Sequence, residues 1–394
     1  MENLLPVLPA MSRTAIEANV GLGCSQCFFL EHCGGIYDAF DCLTTCCRKP
    51  KSCRVACPHS ERFGDYVADS GGWDKSLATI GQSTYEHLPL YIPLIHHHYS
   101  RRNILDEEIV ALPTTLVAGL VRRNPDLDGE QIRRIFQLAP TTKLILISVA
   151  QDAELESLWR DMRFHSIPSA LAKLRILHIT SPNFSFPVSL PRTESLTNRS
   201  RIISASEQLS VAGLSVIPHL NATHERDWEY WADFLKDRPD IYWVAKEFQT
   251  GLKIRTVSRW HIDQFKHLQD RIGRALGLIA VGGRGALDQF VGIDVSVVDS
   301  TPFIKATKRH LFTGARPPWA LSPLPKGMPI DDHLRSNIKL YRDETERRMQ
   351  AIRQCSTISQ SHDDTPLRED TPRKAVASST QPSLWPDMYL AETA

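Results

Sequence analysis

The sequence has no run of eighteen apolar residues, so no stretch of it is suited to crossing a bilayer as a helix. It has almost no net charge. Its 46 Lys and Arg against 45 Asp and Glu leave a formal +1, which argues against a protein that wraps nucleic acid by bulk charge alone. The chain opens MENLLPVLPAMSRTAIE, without a basic stretch followed by an apolar one. No secretory signal is visible there, and a cytoplasmic location is expected. No GxGxxG follows the first strand-like run, which removes the best argument for a dinucleotide fold. No internal repeat is present.

Cysteine is where the sequence is rich. Eight of its nine cysteines, Cys24, Cys27, Cys33, Cys42, Cys46, Cys47, Cys53 and Cys57, fall within thirty-four residues. A segment that short cannot bury a useful core, so it needs iron–sulfur clusters, zinc or disulfides. Reduced thiols in a chain that is not exported read as metal ligands. Zinc favours paired CxxC knuckles, and only Cys24–Cys27 has that spacing. Cys53 to Pro58 is a CxxxCP, the ending of ferredoxin-type runs, and eight thiolates suffice for two four-iron clusters. The expected cofactor is therefore one or two iron–sulfur clusters of the [4Fe–4S] type, with zinc as the alternative. The CxxxCxxC trio usual in radical enzymes that use S-adenosylmethionine is absent. A basic run, Arg48, Lys49, Lys51 and Arg54, lies in the same segment and reads either as solvated charge or as a phosphate-facing patch.

From residue 88 onward, apolar β-rich runs alternate with helical stretches. The runs are Leu88–Ile95, Ile109–Leu112, Lys143–Val149, Arg175–Ile179, Leu214–Pro218, Ile241–Ala245, Gly277–Val281 and Val295–Val298. Near-continuous apolar runs suit strands covered on both faces. The helical candidates are Gly129–Leu138, Ala153–Met162, Arg192–Ala212, Glu225–Lys236, His261–Ala275 and Ala286–Val291. Eight such units predict an α/β fold, a (β/α)8 TIM-like barrel preceded by a small cysteine-rich metal-binding domain, with a doubly wound open sheet as the alternative. The expected division is residues 1–81 for the cysteine-rich domain and its glycine-broken connector, and 82–312 for the barrel. Residues 313–354 follow as a proline-rich irregular segment and a charged helix, and 355–394 as a disordered tail. A last barrel helix is expected over Thr301–Phe312.

In such barrels the site lies at the carboxyl ends of the strands. That rule nominates His96, His97 and His98 after the first run, and Ser181, Pro182 and Asn183 after the fourth. His219 and Asn221 follow the fifth, Lys246 and Glu247 the sixth, Gly282, Gly283 and Arg284 the seventh, and Asp299 and Ser300 the eighth. Glu247, Asp299 and His219 are the candidate catalytic groups. Asn183 and Asn221 would hold a base edge, and the Gly282–Gly283–Arg284 turn a phosphate or a carbonyl. Each has a structural alternative: a helix cap for Asn221 and Asp299, a tight βα turn for the glycines, a strand end for the histidines. Their convergence on one rim is the stronger signal.

Several stretches together resemble a poorly characterised group of bacterial proteins that join a cysteine-rich segment to a barrel-like domain. They are the CxxC, CGG, CC and CxxxCP series, Gly71-Gly72-Trp73, SPNFS at Ser181–Ser185, IPHLNATHERDWEYWADFL at Ile217–Leu235, EFQTG at Glu247–Gly251 and VVDSTPFIKATKR at Val297–Arg309. The resemblance spans residues 24–310. More distantly, the barrel is similar to tRNA-guanine transglycosylases and their DNA-modifying deazaguanine relatives. That likeness rests on Asp299-Ser300 before a helix of the form FIKATKR. It implies base exchange through a covalent aspartate intermediate, with a second aspartate as acid/base. Asp69-Ser70-Gly71-Gly72-Trp73 looks like the DSGGF turn of those enzymes but precedes the first strand-like run, and their cysteine–histidine zinc site after the barrel has no counterpart here. The expected function is an iron–sulfur barrel enzyme acting on a nucleobase or nucleotide, free or within nucleic acid. The alternatives are a redox enzyme passing electrons from clusters to the barrel rim, and a zinc-stabilised, non-enzymatic nucleic-acid-binding or scaffold protein. No membrane partner is expected.

Overall fold

The structure, a computed structural model, describes residues 55–57, 60–82, 87–97, 101–187, 190–314, 317, 319–323 and 329–363. Seven of the eight clustered cysteines, Cys24 to Cys53, lie outside them, as do His98 and the chain beyond Asp363. Residues up to Arg353 belong to one compact unit, and those from Gln354 to a second.

The chain is a parallel α/β protein. In order it runs α1 (Phe63–Asp69), β1 (Tyr91–Pro93), β2 (Ile109–Pro113), α2 (Thr114–Arg123), α3 (Gly129–Ile135), β3 (Lys143–Ile147), α4 (Asp152–Phe164), α5 (Ile167–Ala172), β4 (His178–Thr180), α6 (Arg192–Val211) and β5 (Val216–Ile217). Then come α7 (Glu225–Lys236), β6 (Trp243–Glu247), a 3-10 turn at Gly251–Lys253, α8 (Arg255–Ile272), β7 (Gly277–Val281), a 3-10 helix at Gly283–Gln289, β8 (Asp294–Asp299) and α9 (Thr301–Thr307). All eight apolar runs overlap a strand, and β6 runs two residues past its run, to Glu247. Two four-stranded parallel sheets result, one in the order β1-β8-β7-β6 and the other β2-β3-β4-β5. Single parallel bridges join their edges, Leu94 to Ala111 and His219 to Ala245.

Alternation along the strands divides the apolar residues between two layers. Ile92, Ala111, Ile145, Ile217, Trp243, Ala245, Ile279 and Val298 from both sheets form one cluster. Their neighbours Val110, Leu144, Val216, Val244, Leu278 and Val297 pack instead with the helices. Covering on both faces explains why these strands read as continuous apolar runs rather than as alternating ones.

Helix α6 is unusual in sequence, rich in Ser and Arg with no apolar stripe, yet most of it is buried. Its polar side chains clamp the backbone of the lead-in segment. Glu194 accepts from Ala56 N at 2.6 Å, and the Thr193 hydroxyl donates to the Ala56 carbonyl. Ser200 donates to the Gly72 carbonyl, Ser204 to that of Ser70 at 2.7 Å, Glu207 accepts from Thr79 N and Ser210 from Gly81 N. Toward α7, Arg192 and Arg199 meet the fully buried Asp227, and the Arg199 guanidinium lies 3.5 Å from the Tyr230 ring centre. The two cations, with Thr223 N, supply the partners that the buried Asp227 carboxylate requires out of water. The segment expected to be a plain connector, Phe63–Gly81, therefore opens with helix α1 and is a strap laid along α6.

The expected helix over Thr301–Phe312 ends early. Helix α9 stops at Thr307, and Arg309, at φ 62°, turns the chain into a hairpin. Strands β9 (His310–Thr313) and β10 (Ala320–Pro323) pair antiparallel there, in a region expected to be irregular. Helix α10 (Asp331–Asp363) follows and continues past Cys355, beyond the expected start of the disordered tail.

Candidate functional site

Strand register sets the geometry. Glu247 pairs with Val281 across β6 and β7, and Val281 with Val298 across β7 and β8. Glu247 and Asp299 therefore lie at the same end of one sheet, two strands apart, a span of roughly 10 Å. By the same alternation they leave opposite faces of it. Glu247 follows Trp243 and Ala245 on the face shared by the two sheets, while Asp299 follows Val295 and Val297 on the helix-covered face.

Both carboxylates are held. Glu247 accepts from the backbone N–H of Gln249 at 2.6 Å and of Thr250 at 2.9 Å, and from the Thr250 hydroxyl at 3.1 Å. It fixes the loop that leads into α8. Asp299 Oδ1 accepts from Thr301 N at 2.7 Å at the start of α9, and its Oδ2 accepts from the Tyr341 hydroxyl of α10 at 2.6 Å.

A cleft of 640 Å³ opens over the ends of β6, β7 and β8. Gly282, Gly283 and Asp299 line it, together with Gln249, Lys253 and Arg255. Gly282 has φ 74°, a backbone conformation that favours glycine, and a Cβ on it would meet Gln249 Cγ at 2.3 Å. A Cβ on Gly283 would meet that of Ala280 at 2.6 Å. Arg284 stands apart from its glycine neighbours. Its guanidinium does not line the cleft but stacks on Tyr341 and Trp319, 4.4 and 4.8 Å from the ring centres. The cations of the cleft wall are instead Lys253 and Arg255, the latter paired with Asp288.

At the ends of β4 and β5, Asn183 and Asn221 meet. The Asn221 amide nitrogen donates to Asn183 Oδ1 and to the Phe184 carbonyl, both at 2.7 Å. Asn221 does not cap α7, whose N-cap is His224. Beside it, His219 is completely buried. Its Nδ1 lies 2.7 Å from the Ser181 carbonyl, which can only accept, so Nδ1 carries the proton and Nε2 presents a bare lone pair. Nε2 is buried without a hydrogen-bond partner. Burial, reinforced by nearby Lys246 and opposed by the Ser181 bond, brings the His219 pKa down to about 4. Lys246 is also buried, and burial lowers its pKa to about 8 against the pull of Glu247 and Asp227. Its ammonium donates to the Leu220 carbonyl at 3.1 Å and lies 5.2 Å from the Trp228 ring centre, on the helix-covered face.

The remaining candidates disperse. His96 and His97 pack on Phe303, with ring centres 6.2 and 4.9 Å apart, and burial lowers the His96 pKa, with His97 adding to the shift. Asp69-Ser70-Gly71-Gly72-Trp73 sits on α6: Trp73 donates to Thr197, and Lys75 holds the Ser70 and Gly71 carbonyls at 2.9 and 3.0 Å. Of the clustered cysteines only Cys57 is described; it is buried next to Ala56, the residue anchored on α6. Among the described residues no group of three or more His, Cys, Asp or Glu could hold a metal ion, and no helix is long and apolar enough to cross a membrane. Tyr341, Lys253 and Arg255 escape sequence reasoning. None sits at a strand end, and Tyr341 lies in a charged helix far along the chain from Asp299. No protein-family model and no curated protein sequence matches the chain.

Proposed function

We propose that this chain is an enzyme acting on a nucleobase or nucleotide, free or within nucleic acid, and that its eight strands close into one (β/α)8 barrel. Two hydrogen-bonded joints support closure. Ile95 N donates to the Ala111 carbonyl at 2.9 Å between β1 and β2, and Ala245 N to the Pro218 carbonyl at 2.9 Å between β5 and β6. The observation that carries the functional reading is the cleft at the ends of β6, β7 and β8, where a buried carboxylate, a glycine turn and two cations share one wall. Ligands of parallel α/β proteins bind at that end of the strands.

In this reading Asp299 is the reacting carboxylate. One of its oxygens bonds to the anomeric carbon of the sugar as the bond from that carbon to the base nitrogen breaks. The departing base takes up a proton, and an incoming base loses one as it displaces the carboxylate. In this reading the acid/base candidates are Glu247, at the same end of the sheet but on its other face, and His219, just beyond β5. The pair Asn183 and Asn221 offers an amide donor and an amide acceptor to a base edge, and Gly282 and Gly283 let a ligand approach the backbone closely.

The test is exchange of labelled guanine into tRNA and into DNA by the purified chain and by Asp299→Asn. Exchange should be abolished in the variant, and mass spectrometry of the denatured wild type should find sugar on the Asp299 peptide. Undiminished exchange by Asp299→Asn defeats the reading.

We also propose that Cys24, Cys27, Cys33, Cys42, Cys46, Cys47, Cys53 and Cys57 hold iron–sulfur clusters of the [4Fe–4S] type, or alternatively zinc, that fold their segment. What supports this reading is that Cys57, the last of the eight, is buried beside Ala56, whose N–H is bound by Glu194 of α6. Iron, sulfide and zinc analysis of protein prepared without oxygen, with its absorption spectrum, chooses between the two.

A further inference from the structure

Tyr341 belongs to α10, outside the eight strand–helix units, yet its hydroxyl reaches the carboxylate at the end of β8. Asp299 is 8% exposed and Tyr341 3%, so the bond is shielded from water. Together with Thr301 N, it gives each carboxylate oxygen one donor. An ionised carboxylate has about four acceptor sites. Lone pairs therefore remain on the carboxylate of Asp299, a residue of the cleft wall, while the two donors fix its plane.

The ring of Tyr341 is secured independently of its hydroxyl. Tyr91 and Trp319 flank it at 5.1 and 5.8 Å between ring centres, and the Arg284 guanidinium covers it. Burial above all, with Asp299 adding to it, pushes the phenol pKa far above its ordinary value, so the hydroxyl stays a donor at any working pH. Packing alone would be met by phenylalanine. What the hydroxyl adds is its bond to Asp299, alongside one with the Thr301 side chain at the start of α9.

We propose that Tyr341 is a positioning residue: its hydroxyl aims the Asp299 carboxylate at the cleft, which makes the C-terminal helix α10 a part of the site. The proposal rests on the reading of Asp299 as the reacting carboxylate. It also gives Arg284 a role, as the cation that closes the aromatic stack behind Tyr341 rather than a ligand-binding group.

The test uses the full chain and Tyr341→Phe, which keeps the ring and its stack. Carboxylates are labelled with a water-soluble carbodiimide and glycine ethyl ester, and the Asp299 peptide is followed by mass spectrometry, with exposed Asp233 as the internal standard. Asp299 should be labelled several times faster in Tyr341→Phe, with Asp233 labelling unchanged and the melting temperature lowered by no more than the loss of one buried hydrogen bond accounts for. Equal Asp299 labelling in the two proteins overturns the proposal whatever the exchange assay shows. In guanine exchange, Tyr341→Phe should lower kcat by about 100-fold, as misplacement of a reacting group does, and leave KM unchanged. If Asp299→Asn abolishes exchange but Tyr341→Phe keeps kcat within about twofold, well short of that loss, the positioning role falls and the Asp299 reading stands. Exchange retained by Asp299→Asn overturns both.

Discussion

Gln82 makes with Trp243 the pair of hydrogen bonds that a neighbouring strand would make. Its side-chain oxygen accepts from Trp243 N at 2.8 Å, and its side-chain nitrogen donates to the Trp243 carbonyl at 2.9 Å. The same amide also accepts from Tyr242 N at 2.8 Å and donates to the Val216 carbonyl at 3.0 Å, so it spans β5 and β6. Strand β5 is only two residues long, and the backbone bonds that join it to β6 lie beyond its end, around the bridge of His219 and Ala245. The carboxamide stands in for the missing ladder. Gln82→Ala should lower unfolding stability by roughly 2–4 kcal/mol, because backbone groups on both strands lose the side-chain hydrogen bonds that Gln82 makes to them. Urea titration measures the loss, and amide exchange at Tyr242 and Trp243 should quicken. A variant as stable as the wild type would show that water repairs the seam.

His219 gives the fold an acid limit. Its folded pKa of about 4 lies below its ordinary 6.5, with burial as the main cause. The unfolded chain therefore binds this proton more readily than the folded one. The contribution is fully present above about pH 6.5 and is lost as the pH falls toward 4. For a group this buried it is about 3 kcal/mol. His224, whose pKa is also lowered to about 4 by burial and by Arg192, acts in the same direction. The urea midpoint should drop steeply between pH 6.5 and 4.5. Replacing His219 by Gln should reduce that slope without abolishing it; an unchanged slope places the acid sensitivity elsewhere.

What could be read from the sequence was whatever repeats locally. Every apolar run carries a strand because burial on both faces leaves a continuous signature. The β4 and β5 strands are shorter than their runs, since Arg175–Leu177 and Leu214–Ser215 precede the paired residues. Helix α2 escapes the sequence because it begins at Thr114, directly after strand residue Pro113, with no loop to mark the change. Helix α6 is legible in the sequence, but its polar residues make sense only with the strap they bind. Strand ends located Asp299, Glu247 and the two asparagines. Their partners Tyr341, Phe184 and Thr250 are tertiary or loop contacts, and for Tyr341 no periodicity or spacing announces one.

The glycines around the cleft should not be equivalent. A Cβ at Gly283 would press on Ala280 and on Phe290, the latter at 3.3 Å, whereas one at Gly285 would meet nothing within 4 Å. Both belong to the same 3-10 helix and both line the cleft. Gly283→Ala should cost about 1–3 kcal/mol through overpacking. Gly285→Ala should leave the melting temperature nearly unchanged and only narrow the cleft. Thermal melts of the two variants decide, and equal losses would mean that the Gly283 wall yields.

The asparagine pair carries a direction that can be reversed. The Phe184 carbonyl can only accept, so it is the nitrogen of Asn221 that faces it. That nitrogen also donates to Asn183, which must present its oxygen there. The free atoms are then a donor on Asn183 and an acceptor on Asn221, both residues being half-buried at the ends of adjacent strands. A base edge with an acceptor beside a donor matches them. Asn183→Asp keeps the oxygen that Asn221 needs but turns the free donor into a second acceptor. Guanine, followed by equilibrium dialysis, should bind the variant at least about tenfold more weakly, the worth of one hydrogen bond lost. The melting temperature should hold, because the bond between the two side chains survives. Equal guanine binding by both proteins would take the pair out of the base site, and the recognition of the base would then have to come from the cleft alone.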